Sequence, residues 1–355
     1  MSDASSIRVS VVVPCFNEQA TIVETVSAIE RQRDAGGRAF AEWGELIVVD
    51  DASRDRTPTL LETFASGKAF VQVLRNEPNR GIAASLNRGI AASRAPLLLA
   101  CHGDCRVLGE DYVDRMLRHF DDAGVAAVTG KPATPDFAAI SFTEQLFILM
   151  HLMDVDPEPA TVREINFVEG RCDGLRKAAL LELGGYDERT KLSGEDQVLA
   201  IKLTSRGYRL LSDTSLVYRL GAGGSQNTPT KMVRRQAVYA AGQAFIFLRY
   251  GLRTALTASS VPNRARRRQL RAAQVVGVPL LVAAGIATAV VSIKAAAVLV
   301  GAAIGLRFVY HLHLCGNRFP AAPCLAMFPW AIAGDVAYAM GFVGGVWRTW
   351  VRDKV

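Results

Sequence analysis

The sequence predicts an α/β domain on a mostly parallel sheet, followed by an apolar helical region long enough to cross a bilayer. Residues 7 to about 220 alternate short apolar runs with amphipathic stretches, the rhythm of strands and crossover helices. Early apolar runs end in polar turns that lead into helices. After about residue 260 the composition shifts to stretches of about 20 apolar residues, the length of a membrane-crossing helix. Among 355 residues, 50% are hydrophobic and 21% charged, which excludes a disordered chain. The length suits one large domain or two modest ones. We expect the α/β domain over 1–225, an amphipathic, basic connector over 226–271 and the helical region over 272–355.

The first apolar run, Ile7 to Val13, is too short for a secretory core and lacks a basic leader, so it reads as a buried strand stopped by Pro14. Further strands are expected at 45–50, 70–74, 96–101 and 125–129, with helices at 18–33, 58–66, 80–93 and 109–121. Asn17 is expected to N-cap the first helix, and Thr57 precedes Pro58 at the start of the second. Helices near 176–183 and 195–206 should stop at Gly184-Gly185 and Gly207, where a left-handed residue is easy. Six cysteines, at 15, 101, 105, 172, 315 and 324, form no paired framework and read as reduced thiols of a cytosolic domain.

In the helical region a dense basic run, 263–271, precedes 272–293, which carries no charge. After Lys294, residues 295–314 carry only Arg307, and 324–347 carries only Asp335. A basic run beside the cleanest span follows the positive-inside rule, and Gly301 and Gly305 have the spacing of close helix packing. The competing reading is an alanine-rich bundle in a soluble protein. A mid-membrane charge costs about 2.5–3.5 kcal/mol, so Arg307 and Asp335 should pair, or Arg307 should face a lipid diphosphate. Arg348, Arg352 and Lys354 favour the side of the basic run. That predicts two full crossings, with one stretch re-entrant or 272–306 forming one long tilted helix.

Ligands of open parallel sheets bind outside the carboxyl ends of the strands. There the chain places Pro14-Cys15-Phe16-Asn17-Glu18, then Asp50-Asp51-Ala52-Ser53-Arg54-Asp55-Arg56-Thr57, then His102-Gly103-Asp104-Cys105. Adjacent carboxylates cannot both point inward, so one of Asp50 and Asp51 should contact ligand while the other braces the turn. Later come Val168-Glu169-Gly170-Arg171-Cys172-Asp173, Gly184-Gly185-Tyr186-Asp187-Glu188, and Glu195-Asp196 opening a helix. A helix dipole alone attracts acids there, but so does a need for a general base.

Together with Asn79-Arg80-Gly81 and Asn87-Arg88-Gly89, these ordered segments resemble the inverting family 2 glycosyltransferases, whose catalytic domain has the GT-A fold, over about residues 7–250. The resemblance implies that Asp51 binds the base of a nucleotide-diphospho-sugar, in a pocket lined by Pro14, Asn17 and Glu18. Arg80, His102 and Arg235 join the donor site. Asp104 stands where the family's metal carboxylate stands, implying Mg2+ or Mn2+ on the diphosphate. Asp196 is the implied base, with Glu195 beside it, and Glu169 and Gly170 face the acceptor.

The family's Asp-x-Asp reads His102-Gly103-Asp104 here. One carboxylate with phosphate oxygens and water can hold Mg2+, and His102 either ligates Mn2+ or hydrogen-bonds the ribose or a phosphate. Cys101 and Cys105 flank the turn as packing residues, because thiolates do not suit a hard ion. The Gln-x-x-Arg-Trp motif of processive members is absent from 232–243, which implies single transfers. Arg234 and Arg235 either stabilise the leaving diphosphate or sit at headgroups.

The resemblance implies a non-processive enzyme whose only departure from the family pattern is the metal motif, and the apolar spans with the basic run place it multi-pass in the cell (inner) membrane, with its catalytic domain cytosolic and a lipid-linked (polyprenyl-type) or glycan acceptor. A catalytically silent membrane scaffold is the alternative, motivated by His102. A dehydrogenase would need Gly-x-Gly-x-x-Gly where Pro14-Cys15-Phe16-Asn17 stands. The net charge of +7 is met by the membrane and a phosphate-bearing donor, so no nucleic acid is expected.

Overall fold

Strand β1 (Val9–Cys15) is buried at all seven positions, as a parallel strand covered on both faces should be. In the computed structural model, which describes residues 7–150, 155, 157, 159–190, 193–221, 228–257, 293–316 and 318–352, it pairs in parallel with β2 (Gly44–Asp50) and, on its other side, with β4 (Leu97–Cys101). Edge strand β3 (Val71–Arg75) lies parallel beyond β2. The sheet continues through β5 (Cys105–Val107), β6 (Val125–Pro132), β7 (Val162–Ile165), β8 (Cys172–Arg176) and β9 (Arg209–Leu220). Its order is β3-β2-β1-β4-β8-β6-β9-β5, with β7 on β9. β8 runs antiparallel to both β4 and β6, which brings its residues beside the end of β4.

Side chains of β1 alternate between two cores. Val9, Val11 and Val13 pack with Ile22, Trp43 and Met116, whereas Val12 packs with Leu86, Leu98, Leu175 and Leu199. The covering helices are α1 (Ile22–Glu30), α2 (Thr57–Ala65), α3 (Ile82–Ala92), α4 (Tyr112–Arg118), α6 (Lys177–Glu182) and α7 (Glu195–Ser205), with α5 (Phe142–Met150) lying elsewhere. As expected, α6 and α7 give way to left-handed glycines, Gly184 at φ 75° and Gly207 at φ 82°. The expected cap of α1 is corrected. The helix starts at Ile22 after Thr21, and Asn17 is a left-handed loop residue with φ 57°. Thr57 is itself the first residue of α2, and Asp55 Oδ1 takes its N–H at 2.9 Å.

The chain forms two compact units. One comprises the described residues within 1–134 and 155–226, and the other those within 135–154, 227–257 and 293–355. The expected continuous domain over 1–225 is therefore interrupted, because α5 packs with the later helices. The second unit also holds α8 (Pro229–Thr257), α9 (Ile293–Cys315) and α10 (Ala321–Arg352). α8 and α10 lie against each other. A Cβ on Gly345 would come 2.7 Å from Ala241 Cα, and one on Gly341 would collide with Ala237. Gly301 and Gly305, expected to mediate such packing, meet nothing among the described residues.

Among the described residues, two helices are long and apolar enough to cross a membrane. They are Ala297–Cys315 and Ala321–Val351, with mean hydropathy 1.6 and 1.3. Only 28% and 22% of these windows is buried, unlike core helices of a soluble bundle. Arg307 and Asp335 pair as expected, Nε to Oδ2. The basic run 263–271 and the apolar stretch 272–293, apart from Ile293, lie outside the described residues, as does Lys354.

Candidate active site

The loops after β1 and β2 are laced together by side chains. Asn17 N–H donates to Ser53 Oγ at 2.8 Å, Glu18 N–H to Thr57 Oγ1 at 2.8 Å and Gln19 N–H to Asp55 Oδ2 at 3.2 Å. In return Asn17 Oδ1 accepts Arg54 N–H at 2.8 Å. Ser53, Asp55 and Thr57 thus satisfy backbone donors of the first loop, which explains their alternate spacing. Asp51 N–H reaches Cys15 carbonyl at 2.9 Å, closing the rim at the sheet's carboxyl end.

Asp50 and Asp51 both hold protein groups. Asp50 is buried and pairs with Arg75 Nη1 at 2.6 Å. Asp51 Oδ1 accepts from Asn76 Nδ2 and Arg80 N–H, and Oδ2 from Gly81 N–H, each at 2.8 Å. Asp51 therefore shapes the turn that enters α3. Arg80 pairs with Glu188 at 3.4 Å, while Asn87 Nδ2 donates to Tyr186 carbonyl at 2.9 Å, tying α3 to the 184–188 segment.

The His102–Asp104 turn joins β4 to β5. Gly103 N–H reaches Pro14 carbonyl at 3.2 Å, and Thr21 and Thr25 hydroxyls donate to Gly103 carbonyl at 3.0 Å. Asp104 is half-buried. Burial pushes His102 down to about 4, outweighing the pull of Asp104, and Arg171 lowers it further. Its Nε2 has no hydrogen-bond partner among the described residues. A neutral imidazole beside a carboxylate is a donor set that fits a divalent ion completed by phosphate oxygens and water.

His102 N–H also donates to Arg171 carbonyl at 2.9 Å, so the turn touches the segment carrying Glu169 and Gly170. Gly170 has φ 73°, and a Cβ there would lie 2.8 Å from Asp196 Oδ2. Its N–H donates to Asp173 Oδ2 at 2.8 Å. Glu195 and Asp196 open α7, and Asp196 Oδ1 accepts Gln197 N–H at 2.8 Å. Asp196 is half-buried whereas Glu195 is buried. Burial, with the charge of Asp196 adding to it, pushes Glu195 up to about 8. Arg171 opposes that rise, so one cation acts on both His102 and Glu195.

Two of these groups had no role in the sequence reading. Asp173 is buried in β8, and burial pushes it up to about 7 despite hydrogen bonds from Thr129 and Gly170. Arg171 is the other. Their signal was a base and an acid two residues apart in a glycine-rich segment, Arg171 just before β8 and Asp173 within it. Arg235 lies exposed on α8, in the second unit.

Residues 10–181 match the family model "Glycosyl transferase family 2". The chain is 36% identical over 121 residues to an undecaprenyl-phosphate 4-deoxy-4-formamido-L-arabinose transferase of Pseudomonas paraeruginosa, covering 33% of this chain and 34% of that one. It is 27% identical over 224 residues to the succinoglycan biosynthesis protein ExoU of Rhizobium meliloti, covering 59% of this chain and 60% of that protein. The chain thus matches only part of the length of these curated relatives. Its fold is similar to that of mannosyltransferase PcManGT from Pyrobaculum calidifontis, solved in complex with GDP-Man and Mn2+. The TM-score is 0.62 at 20% identity, covering 95% of this chain and 88% of that one.

Proposed function

Because residues 10–181 are a family 2 glycosyltransferase domain on a GT-A fold, we propose that this protein is a membrane-bound, non-processive, inverting glycosyltransferase. It would move a sugar from a nucleotide-diphospho-sugar to a polyprenyl-linked acceptor. The observation that carries this reading is the seat of Asp196, half-buried at the head of α7 beneath the bare Cα of Gly170. Asp196 takes the acceptor hydroxyl proton as that oxygen attacks the anomeric carbon from the face opposite the diphosphate. Burial raises Glu195, which favours its protonated form and keeps a second negative charge away from the base.

The donor lies along the carboxyl ends of β1, β2 and β4. Pro14, Asn17, Glu18 and Asp51 line its base pocket, and Arg80 contributes positive charge. Asp104, with His102 beside it, would hold Mn2+ or Mg2+, which supplies positive charge to the leaving diphosphate. Mn2+ accompanies GDP-Man in the PcManGT structure. Glu169 and Gly170 face the acceptor. The polyprenyl acceptor is supported by the name of the Pseudomonas relative and by the outward-facing apolar surface of α9 and α10, with Val298 71% and Met340 71% exposed. The catalytic unit is assigned to the cytosolic face of the inner membrane.

Screening nucleotide sugars for hydrolysis and for transfer to a polyprenyl-linked glycan, with full-length protein in detergent and Mn2+, tests the reading. Asp196→Asn should lower transfer by about 10²–10⁴-fold while donor affinity holds. Wild-type turnover in that variant would move the base elsewhere, first to Glu195. Inactivity of the wild type across the panel would favour a silent scaffold.

A further inference from the structure

We propose that His311, Cys315 and Cys324 ligate a zinc-type ion that pins the end of α9 to the start of α10. Their potential ligand atoms all lie within 4.8 Å of one another. Cys315 Sγ is 3.6 Å and Cys324 Sγ 3.8 Å from His311 Nε2. With Zn–S of about 2.3 Å and Zn–N of about 2.0 Å, a tetrahedral ion sets the S···N edge at about 3.5 Å. Both observed edges have nearly the size of a loaded site.

The histidine supplies an independent sign. It is fully buried, and its Nε2 is the ring atom nearest both thiols, so one imidazole nitrogen and two sulfurs converge on one point. The thiols, 1% and 5% exposed, are shielded from solvent. His311 and Cys315 are one helical turn apart on α9, and Cys324 is in the first turn of α10, so an ion would bridge the 316–320 connection. The fourth position falls to water, and metal binding replaces the hydrogen bond that Nε2 makes to the Cys324 carbonyl oxygen at 2.7 Å.

Charge and softness choose the ion. Two thiolates and a neutral imidazole balance a divalent cation, leaving no net charge where one would be costly. Thiolates favour zinc over the magnesium or manganese suited to Asp104. Binding breaks two S–H bonds and forms two metal–sulfur bonds, with both protons released to solvent.

Cobalt(II) added to chelator-stripped, reduced full-length protein in detergent tests the site. A near-ultraviolet thiolate-to-cobalt band and tetrahedral visible bands should saturate at about one ion per chain and disappear on adding zinc. Cys315→Ser and Cys324→Ser should each weaken zinc binding by at least ~100-fold. Asp104→Ala should keep the band, which separates this site from the donor-metal site. Absence of a thiolate band in the wild type, or its persistence in the double serine variant, would overturn the proposal. The wild-type spectrum decides even where a variant fails to fold.

Discussion

Gly170 lies so close to Asp196 that a single methyl group on its Cα would come 2.8 Å from Oδ2. Its φ of 73° also disfavours any side chain. Gly170→Ala should therefore displace the carboxylate. A misplacement of about 1 Å costs about 100-fold in rate, so kcat should fall by that order while donor affinity is unchanged. Steady-state kinetics beside donor-binding calorimetry checks it, and an unaltered kcat would detach Asp196 from the chemistry.

Asp173 makes stability depend on pH. Burial raises it from 3.8 to about 7. Between those values the native state keeps a proton that the unfolded chain has released, so stability falls as pH rises through the window. Asp173→Asn removes the titration and preserves an acceptor for Gly170 N–H. The variant should match the wild type near pH 4 and exceed it near pH 8, by at most about 4 kcal/mol. Thermal unfolding of both proteins at the two pH values measures the gap. A variant less stable at pH 8 would mean that the charged carboxylate is fully compensated.

The parallel half of the fold was legible because strands covered on both faces read as continuous apolar runs, such as Val9–Val13 and Leu46–Val49. β8 was not, since Cys172-Asp173-Gly174 looks like a polar turn until β4 and β6 flank it. For the same reason Asp173 stayed hidden. Asn17 has the residue type of a helix cap, but Ser53, Asp55 and Thr57 capture its loop through contacts distant in sequence. The Arg307–Asp335 pair was legible because opposite charges in apolar helices have few other partners. The excursion of 135–154 into the second unit had no compositional marker.

Asp104→Ala should weaken donor binding in the presence of Mn2+ by about tenfold or more and flatten its dependence on the ion. His102→Ala, which removes a nitrogen already neutral at working pH, should shift the preference from Mn2+ toward Mg2+. Titrating each ion against donor affinity in wild type and both variants checks this. An unchanged metal dependence in Asp104→Ala would remove Asp104 from the donor site.

Arg307 and Asp335 join α9 to α10, with their side chains only 7% and 19% exposed. Arg307→Met leaves a carboxylate in apolar surroundings without its cation, and breaking a buried pair costs about 3–5 kcal/mol. Replacing both partners by apolar residues of similar volume removes the desolvation penalty along with the attraction. Arg307→Met should thus lower the thermal midpoint of the detergent-solubilised protein sharply, and adding Asp335→Leu should restore most of the loss. Recovery of stability with transfer still lost in the double variant would assign Arg307 to a lipid phosphate. Failure of the second substitution to recover stability would show that the pair is not what holds these helices together.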